Sequence, residues 1–279
     1  MSPQEREGGI RRILVSVDAS SQSLTALRVA ASLATRLDTE VIGIFVEDIN
    51  LLRLAEMPFI QEVGYFSARS YPMSSQGIER QLRSSNRWLQ QVFQMLSSNT
   101  NIRWSLRTIR GSIAAELLDS VLDTDLLILG RTGLPGMRQV GPIVRSLINR
   151  APTQSLIINR PVRPGTRVII LYDGSASSQK ALLACELVIA PENPVIVLII
   201  APDFEQAQRL QAQAQAELVA ATNRTRYHWL RGADAILLAQ LARREECGVL
   251  VLPAESDALP VDSLLALLDR TDCSVLLVH

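Results

Sequence analysis

Lysine is almost absent from this chain. Lys180 is the only one in 279 residues, and His228 and His279 are the only histidines. A metal site needing several imidazoles is therefore not expected, and a histidine-based triad would rest on His228 alone or on the last residue. Cysteine is scarce too: Cys185, Cys247 and Cys273 are odd in number and share no C-x-x-C spacing. That reads as reduced thiols in a cytoplasmic protein rather than a disulfide framework, with Cys185 in a helix and Cys273 in a strand expected to be buried and inert. No run of about 18 apolar residues is present, so no membrane span is expected. The polar start, Met1-Ser-Pro-Gln-Glu5, has no apolar core of a signal peptide. Surplus charge is also lacking: 28 basic residues balance 28 acids, which argues against a dedicated nucleic-acid binder.

What is present is a repeat. Arg12-Ile-Leu-Val-Ser-Val-Asp18-Ala-Ser20 returns as Arg167-Val-Ile-Ile-Leu-Tyr-Asp173-Gly-Ser175, and Ser23, Ala26 and Leu27 return as Ser178, Ala181 and Leu182. Arg110-Gly111 and Arg231-Gly232 each precede a helical stretch. The reading is one domain duplicated, over residues 10–160 and 166–279, joined at Arg160-Pro-Val-Arg-Pro-Gly-Thr166, where two prolines and a glycine break both periodicities. Charge divides unevenly: residues 1–160 hold 18 arginines against 14 acids, and residues 161–279 hold 10 basic residues against 14 acids. An anion site is thus favoured in the first half.

Within each half, short β-branched runs alternate with helical stretches. Strands are expected near 12–17, 41–47, 102–109, 126–129 and 155–159, and again near 167–172, 195–200, 225–231, 249–252 and 274–278. Helices are expected near 21–37, 78–97, 112–122 and 143–149, then 177–189, 203–221, 233–243 and 261–269. The fold class is α/β: two repeated doubly wound domains, each a five-stranded parallel sheet flanked by helices. Such sheets bind ligands beyond the carboxyl ends of their strands, where strand order reverses.

The candidate site residues follow from that rule. After the fourth strand comes Gly130-Arg-Thr-Gly133-Leu-Pro-Gly136-Met-Arg-Gln-Val-Gly141-Pro142-Ile-Val-Arg145. Glycines let a backbone approach an anion, a helix start adds a positive dipole end, and Arg131, Arg138 and Arg145 can donate charge-assisted bonds to phosphate. The plainer reading is a βα loop with Pro142 at the first helical position. Asp18, ending the first strand, either accepts from a base or ribose or caps the next helix, with Ser20 and Ser21 as rival caps. Asp173 raises the same choice, but its partner segment, Pro253-Ala-Glu-Ser-Asp-Ala-Leu-Pro260, has no glycine and two acids. No nucleotide is expected there. An insert at 48–76, with Leu51, Leu52, Leu54, Phe59, Ile60, Tyr65, Phe66 and Tyr71, is either a lid or a local core. Arg80, Arg83 and Arg87 share one helix face, read as solvated.

With these residues in view, the whole chain resembles a tandem universal stress protein. The resemblance rests on the strand-one Asp followed by Ser, the glycine before the third helix, and Gly130-x-x-Gly133 leading to Arg150-Ala-Pro152. It implies ATP or another adenine nucleotide held in the first domain, with site positions Asp18, Val46, Leu129, Gly130, Thr132, Gly133, Gly141 and Pro142, to which Arg131 and Arg145 are added on charge. It also implies pairing of the two domains through their last strands, as an internal pseudo-dimer. The chain departs from the family pattern in two ways. Seven residues, not nine, separate Gly133 from Gly141, and Pro142 replaces the hydroxyl residue, losing a side-chain donor and an N–H. Each lost charge-assisted bond costs about 1.5–3 kcal/mol. The expected function is a non-catalytic stress-response protein with weak or vestigial adenine-nucleotide binding; the rival is an ATP-binding regulator that keeps full affinity through an altered loop. An adenylating enzyme would need a Ser-Gly-Gly-x-Asp-Ser loop, which is missing. Partner proteins and a homodimer remain open.

Overall fold

Runs rich in valine, isoleucine and leucine, too short for helices, become strands covered on both faces. A computed structural model describes residues 10–57, 61–63, 70–72, 74–99, 101–131, 140–148, 150–151, 153–160, 165–185, 193–218 and 224–279. The first half runs β1 (Arg12–Ser16), α1 (Ser21–Leu37), β2 (Glu40–Asp48), α2 (Ile49–Glu56), β3 (Gln61–Val63), β4 (Ser70–Pro72), α3 (Ser75–Asn99), β5 (Trp104–Gly111), α4 (Ile113–Val121), β6 (Leu126–Gly130), α5 (Pro142–Ile148) and β7 (Gln154–Ile158). The second runs β8 (Arg167–Tyr172), α6 (Ala176–Ala184), β9 (Val195–Ile200), α7 (Phe204–Glu217), β10 (Thr225–Leu230), α8 (Ala235–Arg244), β11 (Cys247–Pro253), α9 (Val261–Arg270) and β12 (Ser274–Val278).

All strands but the short β3–β4 pair join one ten-stranded sheet, ordered β10-β9-β8-β11-β12-β7-β6-β1-β2-β5. Each half is parallel throughout, and the halves meet where β12 runs antiparallel to β7, with Leu276 opposite Leu156. Strand order reverses between β1 and β6 in one half and between β8 and β11 in the other. Side-chain alternation along each strand feeds two core layers. One holds Val15, Ile128, Ile170 and Val251 against α1, α3, α6 and α7; the other holds Leu14, Leu127, Ile169 and Leu250 against α4, α5, α8 and α9. Each fully buried aliphatic side chain contributes roughly 1.5–3 kcal/mol. Ser20, Ser175, Asp203 and Asp234 accept backbone N–H groups at the starts of α1, α6, α7 and α8, fixing where those helices begin.

The insert departs from the loop expected of it. Asp48 caps α2 by accepting from Asn50 N–H, and β3 pairs with β4 as a small antiparallel ribbon. Helix α2 buries none of its residues, and Leu54 stays exposed. Phe59, Ile60, Tyr65 and Phe66 lie outside the described residues, as does the side chain of Tyr71. Arg80, Arg83 and Arg87 are exposed on α3, with Arg83 paired to Glu79 one turn away. Among the described residues, no helix is long and apolar enough to cross a membrane.

Candidate functional site

The strand order brings Asp18, Val46 and Gly130 to one end of the first half. Ser16 pairs with Ile44 and Val15 with Ile128, so counting on along the strands sets Asp18 level with Val46 and one residue past Gly130. Val46 and Leu129 are buried in the layer under α4 and α5. Gly130 is buried where β6 passes α1, and a Cβ there would stand 3.1 Å from Gln22 Cβ. Close helix–strand packing is thus one reason for glycine at this position.

Asp18 does not cap α1; Ser20 does, its hydroxyl accepting Ser23 N–H at 3.2 Å. The carboxylate instead orders the turn before the cap. Asp18 Oδ1 accepts from Ser20 N–H at 2.9 Å and from the Ser23 hydroxyl at 2.5 Å, while Asp18 N–H donates to Ser23 Oγ at 2.7 Å. Among the described residues, none donates to Oδ2.

The second half repeats the turn and closes it. Asp173 Oδ1 accepts from Ser175 N–H at 2.9 Å, and Ser175 caps α6. Asp173 Oδ2 is engaged as well, by the Ser256 hydroxyl at 2.6 Å, and Ser256 Oγ in turn accepts from Ala258 N–H. Burial pushes the Asp173 carboxyl up, but hydrogen bonds from Ser175 and Ser256 more than offset this and hold it below the ordinary carboxylate range. Glu255 and Asp257 flank Ser256 and are exposed. The sequence reading passed over Ser256 because the acids beside it dominate that segment's chemistry.

Arg131 and Arg145, two of the arginines assigned to phosphate, point elsewhere. Arg131 donates to Thr271 O at 2.7 Å and to Asp269 O at 3.2 Å, satisfying carbonyls at the end of α9. Arg145 Nη2 meets Asp269 Oδ2 at 3.0 Å, and Val140 N–H donates to Asp269 Oδ1 at 2.5 Å. A carboxylate from the second half therefore already accepts from an amide and a guanidinium at the start of α5. Gly141 is buried just before that helix, and Pro142 is its first residue. Thr132, Gly133 and Arg138 lie outside the described residues. Asp269 gives no local sequence signal, since an acid at a helix end looks like ordinary surface.

A family model described as the universal stress protein family matches residues 9–159. The chain belongs to the universal stress protein family. Its fold is shared over nearly the full length with a universal stress protein from Archaeoglobus fulgidus, at 12% identity and a TM-score of 0.71, covering 97% of this chain and 98% of that one. A universal stress protein from Pseudomonas aeruginosa gives 14% identity and 0.65, over 97% and 93% of the two chains. A functionally unknown protein from the same species gives 14% and 0.63, over 97% and 92%. At these identities the likeness concerns the fold alone. No curated protein matches the chain.

Proposed function

We propose that this universal stress protein is a non-catalytic, cytoplasmic stress-response protein made of two family domains, 10–160 and 166–279, in which the first binds an adenine nucleotide weakly and the second binds none. The observation that carries the reading is the hold of Asp269 on Arg145 and Val140 N–H. Phosphate arriving at α5 would have to displace an internal carboxylate, and Pro142 offers no amide in return. Asp18, Val46, Leu129, Gly130, Thr132, Gly133 and Gly141 are the residues proposed to surround the nucleotide. In the second domain the Ser256 hydroxyl sits on Asp173, taking the place of a ribose or base donor. The β7–β12 pairing serves as the internal pseudo-dimer contact.

Calorimetry with ATP tests the reading. The wild type binds in the high-micromolar range or weaker. A variant with two residues inserted before Gly141 and Pro142→Ser binds at least about tenfold tighter, equivalent to ~1.4 kcal/mol. Tight wild-type binding would favour the rival reading, a regulator with full affinity, which finds support in Asp18 Oδ2 having no donor among the described residues. No gain in a folded variant would leave a scaffold for partner proteins.

A further inference from the structure

Cys247 and Cys273 belong to neighbouring strands but not to facing positions. Val249 pairs with Ser274, so a regular ladder would set Cys273 beside Gly248 and turn Cys247 to the opposite face. The register against β8 slips at this point: Cys247 lies opposite Arg167, and Val249 opposite Val168. This bulge brings both cysteines into the core layer under α8 and α9, where Cys273 is buried and Cys247 is partly buried. Both side chains line the same cavity, near enough for each thiol to shift the ionisation of the other.

The pair opens onto a cavity of about 430 Å³ whose other walls include Arg160, Arg243, Glu246 and Asp272. The positive charge of Arg131 also reaches Cys273, opposed by Asp272. The two thiols are unequal. The neighbouring Cys247 pulls Cys273 below the ordinary thiol range despite burial, whereas Cys247 is pushed well above it by Cys273 and by burial.

We infer that Cys247 and Cys273 form a redox site for a small hydroperoxide, with Cys273 as the attacking sulfur and Cys247 as the resolving one. Cys273 thiolate attacks the outer peroxide oxygen and the O–O bond breaks. The leaving oxide takes a proton and departs as water or alcohol, leaving a sulfenic acid on Cys273. The Cys247 thiol then attacks that sulfur, its proton goes to the departing hydroxide, and water leaves as the S–S bond forms. Two thiols are oxidised and one peroxide is reduced. The reaction is stoichiometric and does not rest on nucleotide binding.

The chain contains its own readout, because trypsin cuts after Arg244 and Arg270 and so places Cys247 and Cys273 on separate peptides. Full-length reduced protein is treated with limiting hydrogen peroxide and digested without reductant. Expected are a linked pair of those two peptides, an intact mass lighter by two hydrogens, and loss of two of the three thiols with Cys185 still alkylatable. Dithiothreitol restores all three. In Cys247→Ser, a sulfenic acid accumulates at Cys273 and is trapped by dimedone. Oxidation of Cys185 at the same rate, dimedone on Cys247 instead of Cys273, or no linked peptide from wild type would each overturn the proposal. The wild-type digest needs no variant to fold.

Discussion

Asp173 shows how one hydroxyl sets the acid limit of a half-buried carboxylate. Its folded pKa lies below the unfolded one, so its contribution is fully present above the unfolded value of about 3.9 and is lost as pH falls through the lowered folded value. Ser256→Ala removes the bond to Oδ2 and should cost about 1 kcal/mol near neutrality. The gap from wild type should close in acid, which thermal melts from neutral pH to about pH 2 would check. A constant gap across that range would mean that Ser256 acts through packing instead. Gly43 sets a different limit. A Cβ on this buried β2 residue would land on the Phe93 ring, which sits edge-on to Trp104 at 5.6 Å. Gly43→Ala should destabilise by about 1–3 kcal/mol in urea titrations, and pairing it with Phe93→Leu should recover part of the loss.

Among the helices, α9 joins the two halves through its last turn. Asp269→Asn should weaken the contact with α5 by roughly 0.2–1 kcal/mol, because Arg145 is partly exposed and the pair is screened. The same change should tighten ATP binding, since Arg145 is released toward phosphate; unchanged affinity by calorimetry would remove Asp269 from the account of weak binding. This contact also shows where sequence reading stops. The ten strands of the main sheet and the eight helices other than α2 among the described residues were legible from the alternation of β-branched runs with helical stretches, and Pro142 marked the start of α5 correctly. Helix α2 was not: its leucines were read as part of one long apolar insert, although Asp48 stood at its cap. The Asp18 and Asp173 turns were located from the repeat, but their difference depends on Ser256, a residue 83 positions from Asp173. Likewise, the Cys247–Cys273 contact needs a bulge that no spacing rule signals.

At the scale of the molecule, the β7–β12 seam removes two apolar edges at once. Leu156 and Ile157 face Leu276 and Val275 across it and are buried. The outer edges are guarded differently: β5 shows exposed Arg107 and Arg110, and β10 shows exposed Arg226, charges that discourage another strand from docking. A fragment of residues 10–160 should therefore dimerise through β7, which sedimentation equilibrium would detect, and Leu156→Arg should hold it monomeric. A wild-type fragment that stayed monomeric would show that the seam is not adhesive by itself. The antiparallel sense of that seam has a geometric consequence. Because the halves run in opposite directions, the carboxyl ends of their strands lie at opposite poles, each beside the amino ends of the other half's strands. Arg131, at the mouth of the first half, thus grips Thr271 at the foot of the second, only two residues before Cys273. A covalent bond tying Cys273 to Cys247 would be made close to Arg131 at the end of β6, although the residues involved lie more than a hundred positions apart along the chain. Two copies aligned in parallel could not share a neighbourhood this way; the reversal places the thiols of one half at the entrance of the other.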